Sequence, residues 1–183
     1  MKKFLLFAFI LFSTHNLMAQ QDTIVNSLEK NNEVKLNAVM LLVGAFEMNY
    51  ERNLSDDSSA GVSVFIPFDD ENLDGDLNYY ISPYYRLYFS RKYAAGFFVE
   101  GFTMINSINS EERWVLDNNG NFVETKEDTY TDFALGFGVG GKWVTKRGIV
   151  FELVGGMGRN LLHADETGTT IVGKFGFNLG YRF

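Results

Sequence analysis

The 183-residue chain has no cysteine, two prolines, two histidines and two tryptophans. Without cysteine there is no disulfide, no thiolate metal site, no cysteine nucleophile and no lipid-anchored amino-terminal cysteine. Basic residues are also in short supply: 16 Lys and Arg stand against 23 Asp and Glu, a net charge of −7. That balance excludes a general nucleic-acid partner, which needs a positive face for phosphates. No apolar run approaches the roughly 20 residues of a membrane-spanning helix. What the chain has instead is 18 Phe, 9 Tyr and 18 Gly. Aromatic and glycine richness without long apolar runs points to a membrane β-barrel, and the length suits one domain.

The first residues read as an address. Lys2 and Lys3 precede an apolar stretch over 4–12, then polar residues, then Ala19 before Gln20. Basic, apolar and small in that order is the layout of a secretory signal peptide, and the apolar stretch is too short for an anchor helix. The division expected is therefore a signal peptide over 1–19 and a barrel over 20–183. Removing Lys2 and Lys3 takes the 16 basic residues to 14 against 23 acidic ones, a net of −9. His15 leaves too, and His163 remains the one histidine.

After residue 32 the pattern is period two, the mark of strands with two unlike faces. Residues 171–183 are clearest. Ile171, Phe175, Phe177, Leu179, Tyr181 and Phe183 share one face; Lys174, Gly176, Asn178, Gly180 and Arg182 share the other. Similar stretches occur at 33–43, 46–54, 60–68, 79–89, 93–105, 131–144 and 149–160, eight in all. The first puts Val34, Leu36, Ala38, Met40 and Leu42 opposite Lys35 and Asn37. Each is about the length of a tilted strand crossing a bilayer. Large aromatics facing inward would overfill a small barrel, whereas Gly, Asn and paired charges fit it. The fold expected is all-β: an eight-stranded antiparallel transmembrane up-and-down β-barrel.

The connections alternate as well. Short turns fall at 55–58, 90–92 and 145–148, and longer polar loops at 69–77, 106–129 and 163–169, with a tight turn at 43–45 as the exception. Short turns in the periplasm and long loops outside is the outer-membrane arrangement, and an even strand number puts both termini in the periplasm. Within 106–129, residues 113–116 and 122–124 flank Asp117-Asn118-Asn119-Gly120-Asn121, and Asn-Gly favours a tight hairpin turn. A protruding ribbon with Trp114 at its edge is expected.

These stretches resemble the small eight-stranded outer-membrane barrels of the OmpA/OmpX type, and more narrowly an uncharacterised barrel family of Gram-negative bacteria. The resemblance rests on Lys35-Leu36-Asn37, Asn49-Tyr50-Glu51-Arg52, Gly61-Val62-Ser63, Ser82-Pro83-Tyr84-Tyr85-Arg86 and Phe97-Phe98-Val99-Glu100-Gly101. The ending Gly180-Tyr181-Arg182-Phe183 is similar to the signal read by the barrel-assembly machinery, with Leu179, Tyr181 and Phe183 as its apolar positions. The resemblance implies an outer-membrane location. It implies outer-membrane lipid, lipopolysaccharide and the assembly machinery as partners, beside an extracellular ligand that no loop motif identifies. A monomer is expected. The resemblance brings no enzymatic activity and no cofactor.

The small-residue face carries Lys35, Arg86, Lys142, Lys174 and Arg182 against Glu47, Glu51, Glu100, Asp132 and Glu152. Balanced charges in a narrow lumen pair with one another, because unpaired ones there are costly. A plug is therefore the expected function of this set, with a structural or surface-interaction role for the protein; the alternative is a lining for a small-solute pore. The three-residue turn ending at Gly148 sets Lys142 opposite Glu152 in the lumen and Trp143 opposite Phe151 outside. A second alternative is a lipid-modifying enzyme. Deacylase-type barrels pair a His with a Ser two residues later, and Asp165 stands there after His163. The glycines of 136–141 keep strand period and make no phosphate loop. Asp70, Asn72, Asp74 and Gly75 match the first half of a calcium loop, but Ile81 replaces its closing Glu, so no metal is expected.

Overall fold

The computed structural model describes residues 30–69, 77–109, 114–116, 122–124 and 128–183. The expected signal peptide and the half calcium loop at 70–75 lie outside these residues.

The described chain forms β1 (Asn32–Asn37), β2 (Ala45–Asn53), β3 (Ser58–Pro67), β4 (Leu77–Tyr88), β5 (Gly96–Asn109), β6 (Trp114–Leu116), β7 (Phe122–Glu124), β8 (Thr129–Val144), β9 (Ile149–Asn160) and β10 (Ile171–Arg182). Eight of them close antiparallel in the order β1-β10-β9-β8-β5-β4-β3-β2. β6 and β7 pair separately, with Trp114 opposite Glu124 and Leu116 opposite Phe122, so the ribbon interrupts an otherwise consecutive meander. The ends meet where Asn32 and Phe183 exchange backbone hydrogen bonds of 3.2 and 2.8 Å. That rim is the terminal end; the opposite rim is the loop end.

Outside, the strands present a nearly continuous apolar surface. Phe46, Met48, Ile81, Leu87, Phe97, Leu135, Phe137 and Phe175 are all exposed, Phe137 at 66 %. Exposed apolar surface this extensive is a solvent mismatch in water and a match in hydrocarbon. Closure leaves no free edge around most of the wall, and the strands are long enough to cross a bilayer. Tyr181, Phe183 and Trp143 face outward near the terminal end, as an interfacial aromatic belt does.

Three local departures from simple alternation have physical causes. Residues 38–42 read as a continuation of β1, yet Ala38–Leu42 is a helical turn. Asn37 caps it, its side-chain oxygen accepting from the Val39 and Met40 amides at 3.1 and 3.4 Å, and Gly44 ends it at φ +95°. Residues 93–95 read as the start of β5, but Ala94 takes φ +38° and Gly96 φ +94°. The segment turns into the terminal end, where Ala94 is wholly buried and its N–H donates to the Asp56 carbonyl at 2.7 Å. Pro83 sits inside β4 with no N–H to give. The β4–β5 ladder skips Ser82 and Pro83, and the Ser82 hydroxyl donates to the Thr103 carbonyl at 2.8 Å.

Candidate functional site

The lumen is packed with aromatic rings and charges together. Phe65, Tyr80, Tyr84, Tyr88, Phe98 and Phe102 all point inward and are at most 5 % exposed. The expectation that large aromatics stay outside is therefore corrected. Glycines on facing strands make the room. A Cβ at Gly136 would lie 2.2 Å from Phe102 Cζ, one at Gly140 2.4 Å from Phe98 Cζ, and one at Gly61 2.5 Å from the Tyr84 ring. The glycine run of 136–141 thus serves ring packing.

The rings form two apolar layers. Toward the loop end, Phe65, Tyr80, Tyr84, Phe102, Met104 and Val172 cluster, with Phe65 stacked on Tyr80 at 5.0 Å. Toward the terminal end, Tyr88, Phe98 and Val154 pack with Ala94. Of the charged side chains, Arg86 lies where the layers meet. Arg86 is flanked by both, its Cζ 4.3 Å from the centres of the Tyr84 and Phe98 rings. Guanidinium over an aromatic face is attractive and keeps the charge out of a bare apolar pocket.

Most of the ions have several partners. Arg86 donates from Nη1 to Glu51 and Glu152, both at 2.7 Å, and from Nε to Glu100 at 2.7 Å. Lys35 bridges Glu51 at 2.5 Å and Glu152 at 2.6 Å. Lys142 reaches Glu51 and, at 2.9 Å, Glu33. Lys174 donates to Glu100 at 2.7 Å, and Arg182 Nε to Glu33 at 2.7 Å. Tyr88 and Tyr84 give their hydroxyl protons to Glu51 at 2.7 and 3.3 Å, and Asn178 donates to Glu152 at 2.8 Å. Satisfied on this scale, buried charges avoid the penalty that an unpaired one would carry.

The structure sorts the ten sequence-selected residues into two groups. Lys35, Glu51, Arg86, Glu100, Lys142, Glu152, Lys174 and Arg182 are brought together. Glu47 and Asp132 are not in an ion pair. Glu47 accepts from the Asn37 amide at 2.7 Å. Asp132 accepts backbone N–H groups of Phe133, Leu162 and His163 at 2.7 to 2.9 Å, fixing the loop that follows β9. Glu33 was absent from the set of five acids against five bases, yet it is fully buried and holds Lys142 and Arg182. It is the first residue of the 33–43 stretch and shares Lys35's face two residues earlier, so the alternation already places it inside.

The β8–β9 register sets Lys142 opposite Glu152 and Trp143 opposite Phe151, and Gly148 takes φ +89°. Opposite position does not make these two charges partners, however. They stand 4.0 Å apart, and each makes closer contacts elsewhere. The side chains are long enough to reach across the barrel rather than to the next strand.

At the terminal end the last strand is tied inward. Arg182 donates through Nη1 and Nη2 to the Tyr93 and Ala94 carbonyls at 3.1 and 2.8 Å, tying the last strand to the inturned segment. At the loop end, His163 lies 5.5 Å from the Tyr130 ring. Among the described residues no group of three metal-binding side chains is assembled.

No family model matches the chain, and no curated protein matches it in sequence. Among solved structures it is similar to the outer membrane protein Ail of Yersinia pestis, determined in a phospholipid bilayer nanodisc. That similarity has 14 % identity, covers 85 % of this chain and 100 % of Ail, and has a TM-score of 0.39.

Proposed function

We propose that the protein is an integral barrel of a bacterial outer membrane whose lumen is a plug and whose loop end is its working surface. One observation carries this reading. The ion pairs of the lumen have side chains that are 0 to 2 % exposed, and two apolar clusters pack inside the barrel beside them. A conducting lumen needs a continuous wet path; this one spends its charges on each other.

The role is then structural or interactive, with no catalysis. Most of the chain's 23 acidic residues lie outside the paired set. Both termini are periplasmic in this reading, and the loops and the Trp114 ribbon face the medium, beside lipopolysaccharide. The absence of native cysteine makes orientation simple to measure. Leu162→Cys marks the loop end and Arg147→Cys the terminal end; both positions are exposed. On intact cells a membrane-impermeant maleimide should label Leu162→Cys alone. Arg147→Cys should react only once the outer membrane is permeabilised. The reverse pattern would overturn the display role.

A further inference from the structure

The seam that closes the barrel is a paired ladder over only part of its height. β1 pairs with β10 from Glu33 opposite Arg182 to Asn37 opposite Asn178. β10 continues to Ile171, and over that stretch it pairs with β9 alone. On the other side, β2 runs from its last β1 partner, Met48, on to Ala45. Between these two edges stands the helical turn Ala38–Leu42 in place of a strand. A sheet edge facing hydrocarbon is expensive, since no water is present to satisfy its backbone. Asn37 meets part of that need by donating to the Phe175 carbonyl at 3.0 Å.

The turn divides outside from inside. Leu42 is 88 % exposed, whereas Met40 is half-buried and packs against the inner apolar cluster. Beside that cluster lies a cavity of about 210 Å³, lined by Leu77, Tyr80, Met104, Ile108, Val172 and Gly173 among others. Its wall therefore includes both lumen side chains and the part of β10 that lacks a β1 partner. The cavity is open on one side and also touches Thr169 and Ile171, and its volume is below the ~300–1,000 Å³ of drug-sized ligand sites. The size and lining suit one small apolar molecule, a monocyclic aromatic hydrocarbon or a short alkyl chain.

We infer that this cavity is a binding site for such a molecule, admitted from the membrane through the unladdered part of the seam. The inference goes beyond the plug reading, since the site lies above the charged layer and uses none of its ions. Ligands dissolved in the bilayer reach the seam without crossing water. The turn is the wall segment held by a cap and apolar packing instead of two ladders, so it is the segment that opens at least cost.

Methionines provide the readout. Met104 lines the cavity and Met40 packs against the apolar cluster beside it, while Met48 and Met157 face outward at 41 % and 57 % exposure. Protein with isotopically labelled methionine methyls, in phospholipid nanodiscs, is titrated with toluene and followed by NMR. Saturating shifts at Met104 and Met40 are expected, above a linear drift at Met48 and Met157 from partitioned toluene. Gly173→Leu adds a side chain where a Cβ meets nothing within 4 Å, so it narrows the entrance without a clash. It should weaken the saturating response by about tenfold or more. Gly101→Leu, equally unhindered on a distant strand, should leave it unchanged. A common linear drift at all four methyls would overturn the site. A saturating response unaffected by Gly173→Leu would overturn the route through the seam.

Discussion

At Glu51 a single carboxylate takes donors from Lys35, Arg86, Lys142, Tyr84 and Tyr88. Removing its charge leaves three buried cations short of a counter-ion. Glu51→Gln should therefore cost about 3–5 kcal/mol, read as a lowered urea midpoint in detergent micelles. A loss below ~1 kcal/mol, typical of an exposed pair, would show that water reaches the site. The pairing pattern also decides a charge exchange. Were Lys142 and Glu152 private partners across the hairpin, swapping them would restore stability. They are not: a carboxylate at 142 would face Glu33 and Glu51, and an ammonium at 152 would face Lys35 and Arg86. The swapped protein should be less stable than Glu152→Gln alone, and recovery toward wild type would contradict the network described. Alternation in the sequence makes legible which face a charge occupies, because successive side chains point to opposite sides. Which acid meets which base is set by barrel stagger and side-chain reach. Lys35 and Glu152 meet at 2.6 Å although 117 residues separate them, and no local pattern encodes that.

Strands reveal themselves through period two, and the β8–β9 hairpin even yields its register because Gly148 fits one turn type. The helical turn at 38–42 hid because Ala38, Met40 and Leu42 keep the alternation of β1, and a short apolar run does not distinguish helix from strand. Its signal was Asn37 before the run and Gly44 after it, a cap at each end. Asn37→Ala removes the cap and also the donor to buried Glu47 and the Phe175 carbonyl, so it should cost about 2–4 kcal/mol and speed amide exchange at Val39 and Met40. Unchanged protection at both amides would show that packing alone holds the turn. Glycines divide by face. Gly136→Ala forces a Cβ against Phe102 Cζ and, at 2.7 Å, the Met157 carbonyl, and should cost about 1–3 kcal/mol. Gly155→Ala points into open space outside and should change stability by no more than about 0.5 kcal/mol. Equal effects would mean that the inward rings can shift aside, against the ring-for-glycine packing of the lumen.

As a whole the molecule inverts the usual distribution of chemistry: apolar wall outside, ions within. The Phe183 backbone adds its exchange with Asn32 at one end of the β1–β10 ladder, and its ring is half exposed on the outer rim. Deleting Phe183 should lower the amount of assembled, heat-modifiable protein more than deleting Leu162 from a loop. Equal amounts would separate the carboxyl terminus from assembly. The barrel class was legible in composition and alternation, which also put Tyr84 and Phe98 on the inner face; how the lumen holds such rings was not, because the partner glycines that accommodate them lie on other strands. The central claim is that the lumen is sealed by its own paired charges and rings. Single-channel recording of the purified barrel in planar bilayers tests it most directly. The account predicts no steady conductance above leak at either polarity; reproducible unitary steps from the wild-type protein would contradict it.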